Sequence, residues 1–354
     1  MTFARRGALC LLGLLACQRS PAAGAAAGDA AAVSSAAASP PAGARRADLT
    51  RGVSLGLFSE DPLFSYRPLL QEIAATGADH VELVVGYYQR DGRSTEITEH
   101  PRFSASATTL LRAIRDARAL GLRVLVFPIV RLSAPAPGEW RGTLKPADRA
   151  AWWRSYSALM GRLARLSAAA GAEALSVGSE LSTLDTERPP WEALVRDVRR
   201  LFPGRLTYSG NWDHYRSVAI YDLVDQMGVC GYFALAERGG PTPTPLATLE
   251  AAWQRHRKEL LQRAAQVGRP LLFTELGYLS QRGSSAWPWE EGAQKPVDLE
   301  EQRRAYAAFV NVWRDEPKLA GVYFWNWYGY GGATSIGYTP RGKPAEAELR
   351  RFFR

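Results

Sequence analysis

The stretch Leu271-Leu-Phe-Thr-Glu275-Leu-Gly-Tyr278 is a short apolar run that ends on an acidic residue, and Ser176-Val-Gly-Ser-Glu180-Leu repeats that arrangement earlier in the chain. Unbroken apolar runs of this length read as strands buried on both faces. Working outward from 174–179 and 270–274, similar runs rich in Val, Leu, Phe and Tyr occur near 51–58, 80–88, 123–130, 205–210, 225–233 and 321–327. The segments between them carry helical spacing, as in Leu69, Leu70, Ile73 and Ala74, then Leu110, Leu111, Ile114 and Ala117, then Leu159, Leu163 and Leu166. Gly77, Gly121, Gly171, Gly204 and Gly268 each follow such a segment, where a helix C-terminus favours a residue that tolerates positive φ.

Strands alternating with helices imply parallel pairing through right-handed crossovers. Eight such units predict a single-domain α/β protein, a closed (β/α)8 TIM barrel over residues 49–354. The competing architecture is an open doubly wound sheet. It calls for a phosphate-binding glycine loop after the first strand, and Leu55-Gly-Leu-Phe-Ser59 has no such pattern.

The amino terminus is set apart from this body. Arg5 and Arg6 precede an apolar stretch, Ala8 to Ala16, that is too short to span a bilayer, and Leu14-Leu-Ala-Cys17 resembles a lipobox. The expectation is a lipoprotein signal over 1–16 and lipidation of Cys17; cleavage elsewhere as an ordinary secretory signal is the other reading. Residues 17–48 are mostly Ala, Ser, Pro and Gly and offer no large apolar anchor, as in a flexible tether. The expected location is therefore the cell envelope, lipid-anchored in a membrane, with Gln18 pointing to the outer membrane, or secreted.

Composition narrows the chemistry. The 354-residue chain carries a net charge of +9, but its arginines are scattered among acidic neighbours, as in Glu300-Glu-Gln-Arg-Arg304, so no nucleic-acid stripe is expected. Cys230 is the one cysteine of the folded body and is read as a small buried hydrophobe; no disulfide follows. His80, His100, His214 and His256 fall in no metal-binding spacing, and no Gly-x-Ser-x-Gly elbow occurs. No metal, no cofactor and no obligate protein partner are therefore expected.

In a (β/α)8 barrel the chemistry sits at the C-terminal ends of the strands. Those ends carry Glu60, Tyr87 with Tyr88, Arg131, Glu180, Asn211-Trp212-Asp213, Tyr232, Glu275 and Trp325-Asn-Trp327. Carboxylates and amides suit the hydroxyl edges of a sugar, and aromatic rings suit its C–H faces. Glu180 after the fourth strand and Glu275 after the seventh are the catalytic candidates, placed to approach within roughly 5–5.5 Å as a retaining glycosidase requires. The acid is expected to stay protonated, its pKa raised by burial and by its charged neighbour, and the nucleophile to be held ionised by hydrogen bonds to its charged form.

Val177-Gly-Ser-Glu180-Leu, Tyr208-Ser-Gly-Asn-Trp-Asp213, Phe273-Thr-Glu275-Leu-Gly-Tyr278 and Tyr323-Phe-Trp-Asn-Trp327 together resemble the large clan of (β/α)8 retaining glycoside hydrolases, and within it the chain is similar to glycoside hydrolase family 113. The resemblance covers the chain from about residue 50 onward and implies action on β-1,4-mannan. It implies Glu180 as general acid/base, Glu275 as nucleophile, Tyr232 as a hydrogen-bond partner of the nucleophile, and Trp325, with Trp327 second, as the floor of the subsite where the sugar distorts. Ser179 stands where much of the clan has an Asn that meets the sugar 2-hydroxyl; that contact is then lost, water-mediated or supplied by Asn211. Tyr87, Trp212 and Asp213 complete the expected substrate-binding set. A non-catalytic glycan-binding lipoprotein is the alternative, disfavoured because a second buried carboxylate costs desolvation and gives a pure binder nothing. The segment Ser284-Ser-Ala-Trp-Pro-Trp-Glu-Glu291 reads equally as an aromatic lid or as rim packing.

Overall fold

The computed structural model describes residue 46, residues 48–291 and residues 295–354; the signal, Cys17 and most of the tether lie outside the described residues. Eight parallel strands close on themselves: β1 (Thr50–Gly56), β2 (His80–Gln89), β3 (Arg123–Leu132), β4 (Ala174–Ser179), β5 (Arg205–Gly210), β6 (Gln226–Cys230), β7 (Leu271–Leu276) and β8 (Leu319–Phe324). Closure is made by β1 on β8, with Gly52 opposite Tyr323 and Val53 opposite Phe324. The architecture is the (β/α)8 barrel that the apolar runs predicted.

Burial on both faces explains those runs. On β2, Val81, Leu83, Val85 and Tyr87 join the outer core beneath the helices, whereas Val84 faces the lumen with Leu125, Phe127, Ile129, Leu272 and Tyr323. The period of two along a strand sorts the two sets.

Among the described residues seven helices cover the barrel: α1 (Arg67–Ala75), α2 (Ala107–Ala119), α3 (Arg149–Ala170), α4 (Arg188–Leu201), α5 (Leu246–Val267), α6 (Leu299–Trp313) and α7 (Ala345–Phe353). Local chemistry starts them. Ser106, Asp148 and Asp298 accept from the backbone N–H three residues on, which satisfies one orphan donor each. Gly171 and Gly268 close α3 and α5 in the left-handed conformation. Gly204 departs from the expected cap role: its φ is not positive, and the residue must instead be small because a Cβ there would lie 2.5 Å from the Glu173 carbonyl.

One unit of the repeat is incomplete. Between β5 and β6 the described chain holds only a 3-10 turn, Tyr221–Leu223, anchored by the Tyr221 hydroxyl donating to the Gly228 carbonyl at 2.9 Å. Among the described residues no helix is long and apolar enough to cross a membrane.

Candidate active site

Glu275 is the penultimate residue of β7 and is 2 % exposed. The Tyr232 hydroxyl donates to its Oε2 at 2.8 Å, and the Cys230 thiol approaches its Oε1 at 3.4 Å. Cys230 therefore does more than fill space: Sγ also lies 3.0 Å from Ser209 Oγ, so the thiol links the sheet floor to the carboxylate. Burial, and after it the charge of Glu180, push the Glu275 carboxyl up to about 7, against the pull of Arg141, Tyr232 and Cys230. Deeper in the lumen, Glu82 on β2 is fully buried and accepts from Ser54 Oγ at 2.5 Å; burial holds it well above the usual carboxylate range.

Glu180 follows the last residue of β4 and is 5 % exposed. It is the one non-glycine residue with positive φ among the described residues, at 54°. That conformation costs about 1–2 kcal/mol for an L-residue with a Cβ and so needs support from its surroundings. Its N–H donates to the Ser209 carbonyl on β5 at 2.8 Å, and its Oε2 accepts from the Arg141 guanidinium, carried by a 3-10 turn after β3. This reverses the expected electrostatics: the raised carboxyl is that of Glu275, the expected nucleophile, while the carboxyl of Glu180, the expected acid, is paired with a cation.

The remaining rim residues divide. Trp325 is half-buried after β8 and packs against both the lumen cluster and the cluster of Cys230, Tyr232, Leu279 and Tyr338. Trp212, also half-buried, stacks on Trp289 at 4.5 Å and 17°, and the Tyr338 hydroxyl donates to the Pro288 carbonyl at 2.5 Å. The Trp-rich segment after β7 is thereby tied into the rim. Asn211 turns its amide into its own loop, donating to Asp213 Oδ1 at 2.9 Å and accepting from the Trp212 N–H at 3.0 Å, while Asp213 itself is exposed. Ser179 is buried, and its Oγ has no hydrogen-bond partner among the described residues.

Two expected binding residues belong elsewhere. Tyr87 points outward into the helix layer, because alternation along β2 puts Glu82 and Val84 in the lumen; Tyr88, one residue on, is the one that meets Arg131. Trp327 is 2 % exposed in the outer core, and its indole N–H donates to Glu72 Oε2 at 2.9 Å on α1. Glu72 also accepts from Arg341 at 2.5 Å. Trp327→Phe should therefore lower unfolding stability by about 1–3 kcal/mol, from the lost hydrogen bond and the space left where the indole packs, and leave kcat unchanged. Denaturant unfolding with parallel kinetics checks this.

The residues that sequence reasoning missed are Arg141 and the thiol contact of Cys230. Arg141 lies in an irregular loop that carries no periodicity to mark it. Cys230 stands two residues before Tyr232, at the end of an apolar run, and that position is its only signal. Among the described residues no group of His, Cys, Asp and Glu is arranged to hold a metal ion.

The sequence model of Glycoside Hydrolase Family 113 matches residues 65–332. The chain belongs to glycoside hydrolase family 113. The family 113 β-mannanase AaManA from Alicyclobacillus acidocaldarius is 26 % identical to it, with a TM-score of 0.76 over 86 % of this chain and 97 % of that one. Another solved family 113 β-1,4-mannanase, at 22 % identity and TM-score 0.76, covers 86 % and 98 %. The β-D-glucuronidase of Dictyoglomus thermophilum shares the fold, at 16 % identity and TM-score 0.59 over half of its length. No curated protein matches the chain. This family 113 member is a glycoside hydrolase, and the non-catalytic alternative loses its ground.

Proposed function

We propose that this family 113 hydrolase cleaves a β-1,4-mannan-like polysaccharide or oligosaccharide with retention of configuration. Glu275 attacks the anomeric carbon while Glu180 protonates the leaving oxygen; Glu180 then takes a proton from water, which releases the glycosyl-enzyme. The observation that carries the reading is the pairing of Glu275 with Tyr232 at 2.8 Å and with the charge of Glu180. Tyr232 steadies the attacking carboxylate, and the half-buried indole of Trp325 is the surface on which the reacting sugar rests. The mannan substrate is supported by the β-mannanases named above, which match nearly their whole length.

Two carboxyl groups that feel one another share their protons as a pair. The form competent for the first step carries one proton, on Glu180, with Glu275 ionised. Because burial and the charge of Glu180 push the Glu275 carboxyl up to about 7, the nucleophile holds a proton through mildly acidic pH and ionises as pH rises toward neutrality. The kcat/KM profile should accordingly rise as pH rises toward about 7, the limb on which Glu275 becomes competent to attack. A rate that falls steadily between about pH 5 and pH 7 contradicts this assignment.

The functional test is the product itself. Incubation with β-1,4-manno-, gluco- and xylo-oligosaccharides, followed by proton NMR of the first-formed anomer, should give β-configured products from the manno series. An α-anomer formed first, or hydrolysis confined to another series, overturns the mechanism or the substrate respectively. We infer in addition that lipidation at Cys17 tethers the enzyme in the cell envelope, so that the barrel meets glycan outside the cytoplasm.

A further inference from the structure

The turn after β4 contains a buried polar network that the catalytic scheme does not use. Glu180 needs both peptide planes beside its Cα fixed if it is to stay at a φ of 54°. The plane before it is pinned by the N–H bond to Ser209. The plane after it is pinned by Tyr208: the Leu181 N–H donates to the Tyr208 hydroxyl at 3.0 Å. Two consecutive β5 residues thus hold the two sides of one strained residue.

Tyr208 is itself held. Its hydroxyl donates to Asp185 Oδ2 at 3.1 Å, and its ring meets Trp191 edge-on at 5.3 Å. Asp185 closes the loop from the other side, its own N–H donating to the Leu181 carbonyl at 2.9 Å. His214, from the β5–β6 connection that lacks a helix, places Nε2 3.1 Å from Asp185 Oδ1. Asp185 and Tyr208 are fully buried, and burial pushes the Asp185 carboxyl up to about 6 against the pull of His214 and Tyr208. A carboxyl kept under that penalty is poor value for stability alone, since an apolar replacement is often as stable. Its geometry serves the turn.

We propose that Tyr208 and Asp185, backed by His214, are positioning residues that hold Glu180 in its left-handed conformation and so aim its carboxyl at the glycosidic oxygen. The inference rests on the reading of Glu180 as acid/base. It predicts a defect in proton delivery with glycan binding intact.

The test compares kcat/KM of the full chain and three variants on two substrates. One is a β-1,4-manno-oligosaccharide, whose leaving sugar must be protonated; the other is dinitrophenyl β-mannobioside, whose phenolate leaves unaided. Glu180→Gln calibrates the reading, since its loss should fall on the oligosaccharide. Tyr208→Phe should lose roughly 10- to 100-fold on the oligosaccharide and under about threefold on the dinitrophenyl substrate, with KM within about twofold, as expected when a proton donor is mis-aimed by an ångström. Asp185→Asn should show the same ratio and stands in should Tyr208→Phe not fold. Losses equal on both substrates, or none, in a folded variant overturn the network while Glu180→Gln keeps its selectivity. A Glu180→Gln enzyme without that selectivity overturns the acid/base reading instead.

Discussion

Replacing Glu275 by Gln should abolish turnover, by at least about 10⁴-fold, since an amide cannot form the glycosyl-enzyme and loss of a covalent nucleophile removes the reaction path itself. The fold should not suffer. Glu275 is 2 % exposed and its carboxyl is pushed up to about 7 by burial and by Glu180, so it is held against its own preference. A carboxyl whose folded pKa exceeds its unfolded value keeps a proton in the native state that the unfolded chain has already released. Stability therefore falls as pH rises from about 4.5 to about 7 and stays lower above that window. Glu275→Gln removes the burden: it should match the parent at pH 4 and exceed it at pH 8 by roughly 1–3 kcal/mol. Thermal melts at the two pH values, beside activity on mannan, read both halves. A melting point that drops equally at both would show that the carboxylate is a structural anchor.

Glu180→Gln should cost about 10²–10⁴-fold on unactivated glycan, the span of general acid catalysis. Two further readouts identify the defect. The amide carries no charge toward Glu275, so the second largest cause of that carboxyl's raised pKa disappears and the acid limb of kcat/KM should move to lower pH. Azide, which needs no base to attack the glycosyl-enzyme, should restore turnover of an activated aryl mannoside and leave mannosyl azide as product. Arg141 loses its ionic partner in this variant but keeps an amide oxygen to bond. An unchanged pH profile together with no azide product would remove Glu180 from the acid/base role.

The barrel was legible because its strands are buried on both faces, so that each reads as an apolar run that stops at the rim. That same property hid the phase. Along β2 every residue from His80 to Gln89 is buried, and both alternate sets mix apolar with polar residues, Glu82 in one and Gln89 in the other, so that neither is marked as the lumen face. Tyr87 and Tyr88 are therefore indistinguishable by sequence, and closure of the barrel decides in favour of Tyr88. Trp325 and Trp327 pose the same choice two residues apart; Glu72, on a distant helix, captures Trp327 for the outer core. The glutamates were visible because a carboxylate ending a buried strand is costly unless used. In the connection between β5 and β6, Tyr215, Val218, Ile220 and Tyr221 are drawn into the core while Arg216 and Ser217 stay exposed, a spacing that fits no single face of an amphipathic helix. Arg141 depends on the path of a loop, and the Glu180 turn on the meeting of β4 with Tyr208 and Ser209. Neither has a local signature.

The most direct measurement is to trap the intermediate. Incubation of the full chain with a 2-deoxy-2-fluoro-mannosyl fluoride slows breakdown of the glycosyl-enzyme, and mass spectrometry of the digested protein then locates the added sugar. The mechanism proposed here predicts one fluorosugar per chain, carried by the peptide that contains Glu275 and absent from Glu275→Gln. A label on Glu180 or on another residue, or a first-formed α-anomer with no label at all, would contradict it.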